Sequence, residues 1–372
     1  MRVSILGAGP AGLYLAYLLK RHRPGWTVRV VEQNSLASTF GFGVVLSDRA
    51  LEFLSGSDPE TAAAIAPHLE SWDDISINHR GERIVIDGIG FAAIGRLTLL
   101  QLLAERARNA GAVLDFGRRV ERLEALEPAD LVVGADGIHS LVRDALPDFG
   151  TRATLLKNRF AWFGTTKLFD TLSQTFVGTD EGAFNAHHYR YAPDRSTFIV
   201  EVDEATYFSA GFDRLSEDEA RERCERVFAK ALDGQALIGN HSIWRQFPVI
   251  RNERWSQGKY VLLGDALHTA HFSIGSGTRL AMEDAIALDR ALTEHPVDIP
   301  AALAAYEEAR RPILEKLVGA ADASAGWYER FREHMRLAPL DFAMSYVRRS
   351  GRVDLERLRR LSPRFVARYE QR

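Results

Sequence analysis

Residues 7–12 read G-A-G-P-A-G, between an apolar run, Val3 to Leu6, and a stretch from Ala11 to Arg21 whose apolar residues recur at helical spacing. Three glycines so placed serve one kind of chemistry, the holding of phosphate by backbone. Gly7 turns the chain out of a strand, Gly9 lets the backbone approach a pyrophosphate, and Gly12 lets helix and strand pack closely. Pro10 and Ala11 open the helix, whose free N–H groups and dipole favour an anion. Pro24-Gly25 stops that helix, and Thr27 to Val31 reads as a second strand. Glu32 at its end is placed to accept hydrogen bonds from an adenosine ribose. The sequence predicts a right-handed βαβ unit holding a dinucleotide. FAD and NAD share the ADP half, so this motif does not choose between them.

A second glycine run, Gly88-Ile-Gly-Phe-Ala-Ala93, follows the strand-like Arg83 to Asp87 and imitates the first. Ala92 to Arg96 intervene before the helix from Leu97 to Ala110, whereas a phosphate turn runs straight into its helix, so a separate nicotinamide site is disfavoured. Two later strands end on acids. Asp130 to Gly134 leads through Asp136-Gly137 into A-D-G-I-H-S-L-V-R, and Lys259 to Leu263 ends in Gly264-Asp265, before a glycine loop at Ile274 to Gly277 and another helix. An acid at a strand terminus contacts ligand or caps the following helix. With Gly7 to Glu32, these two strand ends and two helix N-termini suffice to clasp a long, extended cofactor.

The elements around these residues sort into regions. Residues 157–253 carry short aromatic or β-branched segments between polar turns and read as an antiparallel sheet. Beyond about residue 298 the pattern is helical. At 372 residues with 46% hydrophobic content the chain is long enough for two domains. No apolar run reaches the roughly 18 residues of a membrane span, and the first strand begins at Val3, so a cytoplasmic location is expected. The lone Cys224 excludes an intramolecular disulfide or thiolate metal cluster and shares a helical face with Ala220, Val227, Phe228 and Ala231. A net charge of −3 argues against nucleic acid or an anionic membrane as partner. The exception is Val347 to Arg372, where nine arginines stand against three acids: a solvated helical face, or a set that meets a phosphorylated ligand.

In their order and spacing these motifs resemble the single-component flavoprotein aromatic hydroxylases, the class containing 4-hydroxybenzoate hydroxylase, over nearly the whole chain. That class favours two prolines and later an asparagine after Asp265; here His271-Phe272 and Arg279 stand instead. H-T-A-H-F-S-I-G-S-G-T-R-L-A-M-E-D-A, His268 to Ala285, looks like the subgroup acting on aryl-CoA thioesters, such as the salicylyl-CoA 5-hydroxylases and the hydroxylase half of the 2-aminobenzoyl-CoA enzymes. Gly41 to Ser47, Trp162 to Asp170 and His187 to Glu201 support that match. Pro339 to Val353 resembles the CoA-using members rather than the related violacein-pathway hydroxylases. No second, reductase-like domain of the 2-aminobenzoyl-CoA type is expected.

The resemblance implies an α/β fold: a Rossmann-like FAD-binding domain (1–72, 91–156 and 254–298), an antiparallel β-sheet substrate domain (73–90 and 157–253) and C-terminal helices (299–372). It implies that Gly7, Gly9, Gly12 and Glu32 bind the ADP part of FAD, that Arg96 approaches the phosphates, and that Val120 lies near the adenine. Asp136-Gly137 would lie where FAD and an incoming nicotinamide pass, Asp265 would hold the ribityl or pyrophosphate region, and Gly275, Ser276, Gly277 and Thr278 would face the isoalloxazine. Arg49 joins the cofactor candidates. His271, in place of a proline beside the flavin loop, is the first candidate for moving a substituent proton; His188 and Tyr189 follow, of which alternation lets at most one face the pocket. Arg348, Arg349 and Arg352 would meet CoA phosphates.

The implied reaction is hydroxylation of an aryl-CoA thioester, salicylyl-CoA at the 5-position, with FAD as cofactor and NADH or NADPH as transient hydride donor. A 2-aminobenzoyl-CoA or indole hydroxylase is the near alternative. An FAD-dependent dehydrogenase without oxygen insertion, or a flavin-binding protein without turnover, is the distant one. The oligomeric state stays open, a homodimer included.

Overall fold

Five parallel strands, in the order Tyr260–Leu262, Leu131–Gly134, Arg2–Leu6, Thr27–Glu32 and Val113–Phe116, form the central sheet of the computed structural model, with Ser256–Gln257 antiparallel on one edge. Residues 1–38 and 41–372 are described; the side chain of Arg49 lies outside the described residues. The inner strands are apolar on both faces because helices cover both. Pro10–His22 packs between the sheet, Arg96–Asn109 and Gly277–Glu294, with Ile5, Leu13, Leu15, Leu103, Val133, Leu280 and Leu288 in one core. The first strand, helix and second strand are the expected βαβ unit.

A larger sheet lies beside this layer, in the order Leu237–Ile238, Thr151–Thr165, Arg195–Val202, Gly182–Ala192, Leu172–Thr179, Ile75–His79 and Glu82–Ile86, with Arg245–Asn252 pairing along Thr151–Thr165. It departs from the expected all-antiparallel sheet at one pairing: Leu172–Thr179 runs parallel to Ile75–His79, because the early hairpin 75–86 joins an edge formed much later in the chain. Residue 156 falls inside the fifteen-residue strand Thr151–Thr165, which carries the chain from one layer to the other. Gly43–Ser47, Phe91–Gly95 and Glu70–Trp72 form a third, antiparallel sheet between the two.

The second glycine run is therefore a turn into the strand Phe91–Gly95, and only then does the helix Arg96–Asn109 begin. Cys224 is fully buried, packed with Ala220 and Phe228. From Ile299 the described chain is helical. Ile299–Tyr328 packs on Gly277–Glu294, and Pro339–Arg348, Leu355–Leu361 and Pro363–Glu370 cover the 75–86 hairpin through Phe342, Leu358, Phe365 and Val366. No helix among the described residues is long and apolar enough to cross a membrane.

Candidate active site

One cavity of about 2020 Å³ runs from the C-terminal ends of the parallel strands to the larger sheet. Small-ligand pockets occupy roughly 300–1,000 Å³, so this one has room for a dinucleotide and a second molecule. Its dinucleotide end is built as the glycines require. Gly7 has φ +94°, and a Cβ there would stand 2.3 Å from the Ala135 carbonyl oxygen; a Cβ on Gly12 would stand 2.1 Å from the Gly7 oxygen. Gly9 has nothing within 4 Å of its virtual Cβ, because that direction is the open cavity. Gly9 gives the helix Pro10–His22 no side-chain cap, so the N–H groups of its first turn face the cavity unpaired. Gly277–Glu294 likewise begins uncapped, and Gly275, Ser276, Gly277 and Thr278 all line the wall.

Glu32 Oε2 accepts from Ala8 N (2.9 Å) and Oε1 from Asn34 N and Nδ2 (both 2.8 Å), which fixes the carboxylate at the strand end beside Pro10 and Ala11. Asp136 lines the cavity and also caps the helix Leu141–Asp144, accepting from Ser140 Oγ (2.5 Å) and Leu141 N (2.7 Å). Burial nevertheless raises its carboxyl above the usual range. Arg143 ties this turn to the next acid, donating to the carbonyls of Ile138 (2.8 Å) and Ala266 (3.3 Å). Asp265 presents its carboxylate to the cavity, raised by burial against the pull of His268 and Arg96. Arg96 also lines the wall; its buried Nε has no hydrogen-bond partner, and burial lowers the guanidinium's pKa although Asp265 opposes this. Val120 and Gly137 complete the set. A partly buried guanidinium whose Nε has no partner and two uncapped helix N-termini are the donors a pyrophosphate needs, and open Gly9 leaves room for it, so the residues present fit a bound dinucleotide.

The other end is aromatic: Phe160, Trp162, Tyr189, Phe247, Phe272 and Tyr346 line it. Here the candidates separate. Tyr189 faces the cavity and its hydroxyl donates to the Gly43 carbonyl (2.8 Å). His188 points to the opposite face, 2.8 Å from Thr175 Oγ1 and stacked on Phe198, where burial pushes it down to about 3. Strand alternation therefore corrects the His188 assignment. It puts His187, which the sequence reading passed over, on the cavity side. Gln174 Nε2 donates to His187 Nδ1 (2.9 Å); His187 Nε2 lies 3.5 Å from buried Glu201 Oε2, and neither of these two atoms has a hydrogen-bond partner. Burial pushes His187 to about 3 and the Glu201 carboxyl upward.

His271 is also corrected. Its ring does not line the cavity: Nδ1 meets Ser273 Oγ (2.8 Å), the ring packs on Phe247 and Phe272, and burial takes it to about 4. Among the tail arginines Arg349 and Arg352 line the cavity, whereas Arg348, exposed at its helix end, does not. Arg357 lines it too, unremarked in the sequence.

The family described as FAD binding domain matches residues 1–321. Salicyloyl-CoA 5-hydroxylase of a Streptomyces species is 44% identical over 94% of this chain and 70% of its own. The 3-hydroxy-4-methyl-anthranilyl-[aryl-carrier protein] 5-monooxygenase of Streptosporangium sibiricum is 37% identical over 89% of this chain and 90% of its own. Among solved structures, PqsL of P. aeruginosa in complex with 2-aminobenzoylacetate superposes with a TM-score of 0.70 at 24% identity, covering 89% of this chain and 98% of that one. The last likeness shows the fold alone.

Proposed function

From the premise that the chain belongs to the FAD binding domain family and is an FAD-dependent monooxygenase acting on an aromatic substrate, we propose that it hydroxylates an aryl-CoA thioester, salicylyl-CoA at the 5-position. FAD, when bound, would supply the redox chemistry, with NADH or NADPH as hydride source and dioxygen as the source of the oxygen added to the ring. The protein's own residues do the rest. Gly9, Ala11, Arg96 and the 275–278 loop hold the cofactor along the cavity, and Phe160, Trp162, Phe247 and Phe272 keep water from the chamber where oxygen is transferred. His187 borders that chamber as a neutral ring, its Nδ1 engaged by Gln174, and so serves as a fixed hydrogen-bonding wall rather than a charge.

One observation carries the reading: the phosphate-binding end and the aromatic end are a single cavity, with Arg352 and Arg357 on its wall. A free aromatic acid carries one carboxylate, attached to its ring, whereas a CoA thioester carries phosphates far from the ring, which guanidinium groups set apart from the aromatic end suit. The test is NAD(P)H consumption by the flavin-loaded enzyme against aryl-CoA thioesters and their free acids under labelled dioxygen. Gain of one labelled oxygen by the salicylyl-CoA product is expected. Oxidation of NAD(P)H with no oxygen in any aromatic product rejects the proposal.

A further inference from the structure

The glycine run at 88–93 holds no phosphate turn, yet its first glycine is tightly constrained. Gly88 has φ +70°, and a Cβ there would stand 1.9 Å from the Leu361 carbonyl oxygen. Around this contact the 75–86 hairpin and the C-terminal segment are locked together. Asp87, 5% exposed, accepts from Phe365 N (2.8 Å) and Arg364 N (3.2 Å), heading the helix Pro363–Glu370. Asp74 accepts from Gly88 N (3.0 Å) and pairs with Arg364 NH2 (3.3 Å). Phe365 and Leu358 are buried with Ile84 and Ile86 below.

This seam is also a wall of the cavity. Ile89 and Phe91 line it from the hairpin side, Val353, Arg357 and Leu361 from the tail. Leu361, 39% exposed, lies on this stretch of the lining at the tail side. The lining passes from apolar side chains to guanidinium. Arg357 NH1 donates to the Arg352 carbonyl (3.1 Å), which holds its head at the rim.

We propose that the non-reacting arm of the substrate leaves the cavity along this seam, between Ile89–Phe91 and Val353–Arg357 beside the closed Gly88–Leu361 contact, with Arg357 binding its phosphate. The proposal rests on the thioester reading above and names its subsite: the shared chemistry is a phosphopantetheine thioester, slender and uncharged along its length and anionic at its end. Asp87 is a positioning residue, holding the tail as one side of the exit. A second stretch of exposed lining, His241, Ile243 and Arg245, offers the competing exit.

The experiment measures KM of the holoenzyme for the phosphopantetheine ester that wild type prefers, CoA or an aryl-carrier protein, and for the phosphate-free pantetheine ester. It does so in wild type, Arg357→Gln and Arg245→Gln. The advantage of the phosphorylated ester should fall about tenfold in R357Q, a charge-assisted hydrogen bond lost, and persist in R245Q. As a second measurement, Val353→Trp should raise KM for both esters by narrowing the exit. An undiminished advantage in R357Q, or its loss in R245Q instead, overturns the assignment. Wild type that prefers the free acid to every ester instead overturns the thioester reading itself, and that result is read before any variant is made.

Discussion

Arg96 and Asp265 face each other across the cofactor end of the cavity, close enough for each to shift the other's ionisation and too far apart to form a salt bridge. Opposite charges held apart with open space between them mark a site awaiting something that bonds to the cation. Arg96 is partly buried and its Nε has no partner, which destabilises the protein by itself unless an anion offsets it. Arg96→Met should therefore raise the melting temperature of the flavin-free protein while weakening FAD, by about 10- to 100-fold for charge-assisted bonds worth about 1.5–3 kcal/mol. Fluorescence titration of FAD and thermal unfolding of the apoprotein check the two halves. If stability and affinity both fall, Arg96 is a packing residue.

The glycines of the first turn separate the same way. Gly12→Ala drives a methyl into the Gly7 carbonyl, 2.1 Å away, so the fold itself should suffer. Gly9→Ala meets nothing within 4 Å and should fold with unchanged stability, yet its methyl occupies the approach of the pyrophosphate. We expect a cooperative unfolding curve like wild type's and at least a tenfold loss of FAD affinity. Flavin retained at wild-type stoichiometry would show that the cofactor lies elsewhere.

These local features were legible because neighbours in sequence impose them: three glycines, a helix start and Glu32 fall within one βαβ unit. Parity along a strand was legible too, but its phase was not. Whether His187 or His188 faces the cavity depends on which side the flavin layer packs, a fact of tertiary assembly. The parallel pairing of Leu172 with Ile75 was hidden for the same reason. So was the seam: in sequence Gly88 opens a run that imitates a phosphate turn, and only the remote Leu361 carbonyl explains it. His271 misled because a histidine beside a glycine loop suggests proton chemistry, while Ser273 and the aromatic rings draw the side chain inward.

Acid should destabilise this protein early. His188 is buried among Phe169 and Phe198 and takes a proton only near pH 3 when folded, against 6.5 when exposed. Between those values the unfolded chain binds the extra proton, so stability is full above pH 6.5 and falls as pH drops, by about 1.4 kcal/mol per unit for one such histidine. His187 and His271 act in the same direction. Urea midpoints of His188→Gln measured between pH 4 and 6.5 should lose about one proton's worth of that slope. An unaltered slope would mean that His188 titrates normally in the folded state.

Arg349 decides between structure and substrate. Its Nε donates to Ser324 Oγ (3.0 Å), which lies 2.8 Å from Ser273 Oγ, itself 2.8 Å from His271 Nδ1; its NH2 donates to the Ser273 carbonyl (2.8 Å). The guanidinium lies over Tyr346, 3.8 Å from the ring centre. So many inward bonds tie the tail to the loop that continues through Gly275 and Ser276 into the helix Gly277–Glu294. Arg349→Ala should cost about 2 kcal/mol or more of stability and let the loop drift. Electrons would then be diverted to hydrogen peroxide with a CoA ester and with its phosphate-free counterpart alike. Peroxide yield per NADH with the two esters is the measurement. Uncoupling confined to the CoA ester would instead assign Arg349 to the phosphates, as the arginine-rich tail first suggested.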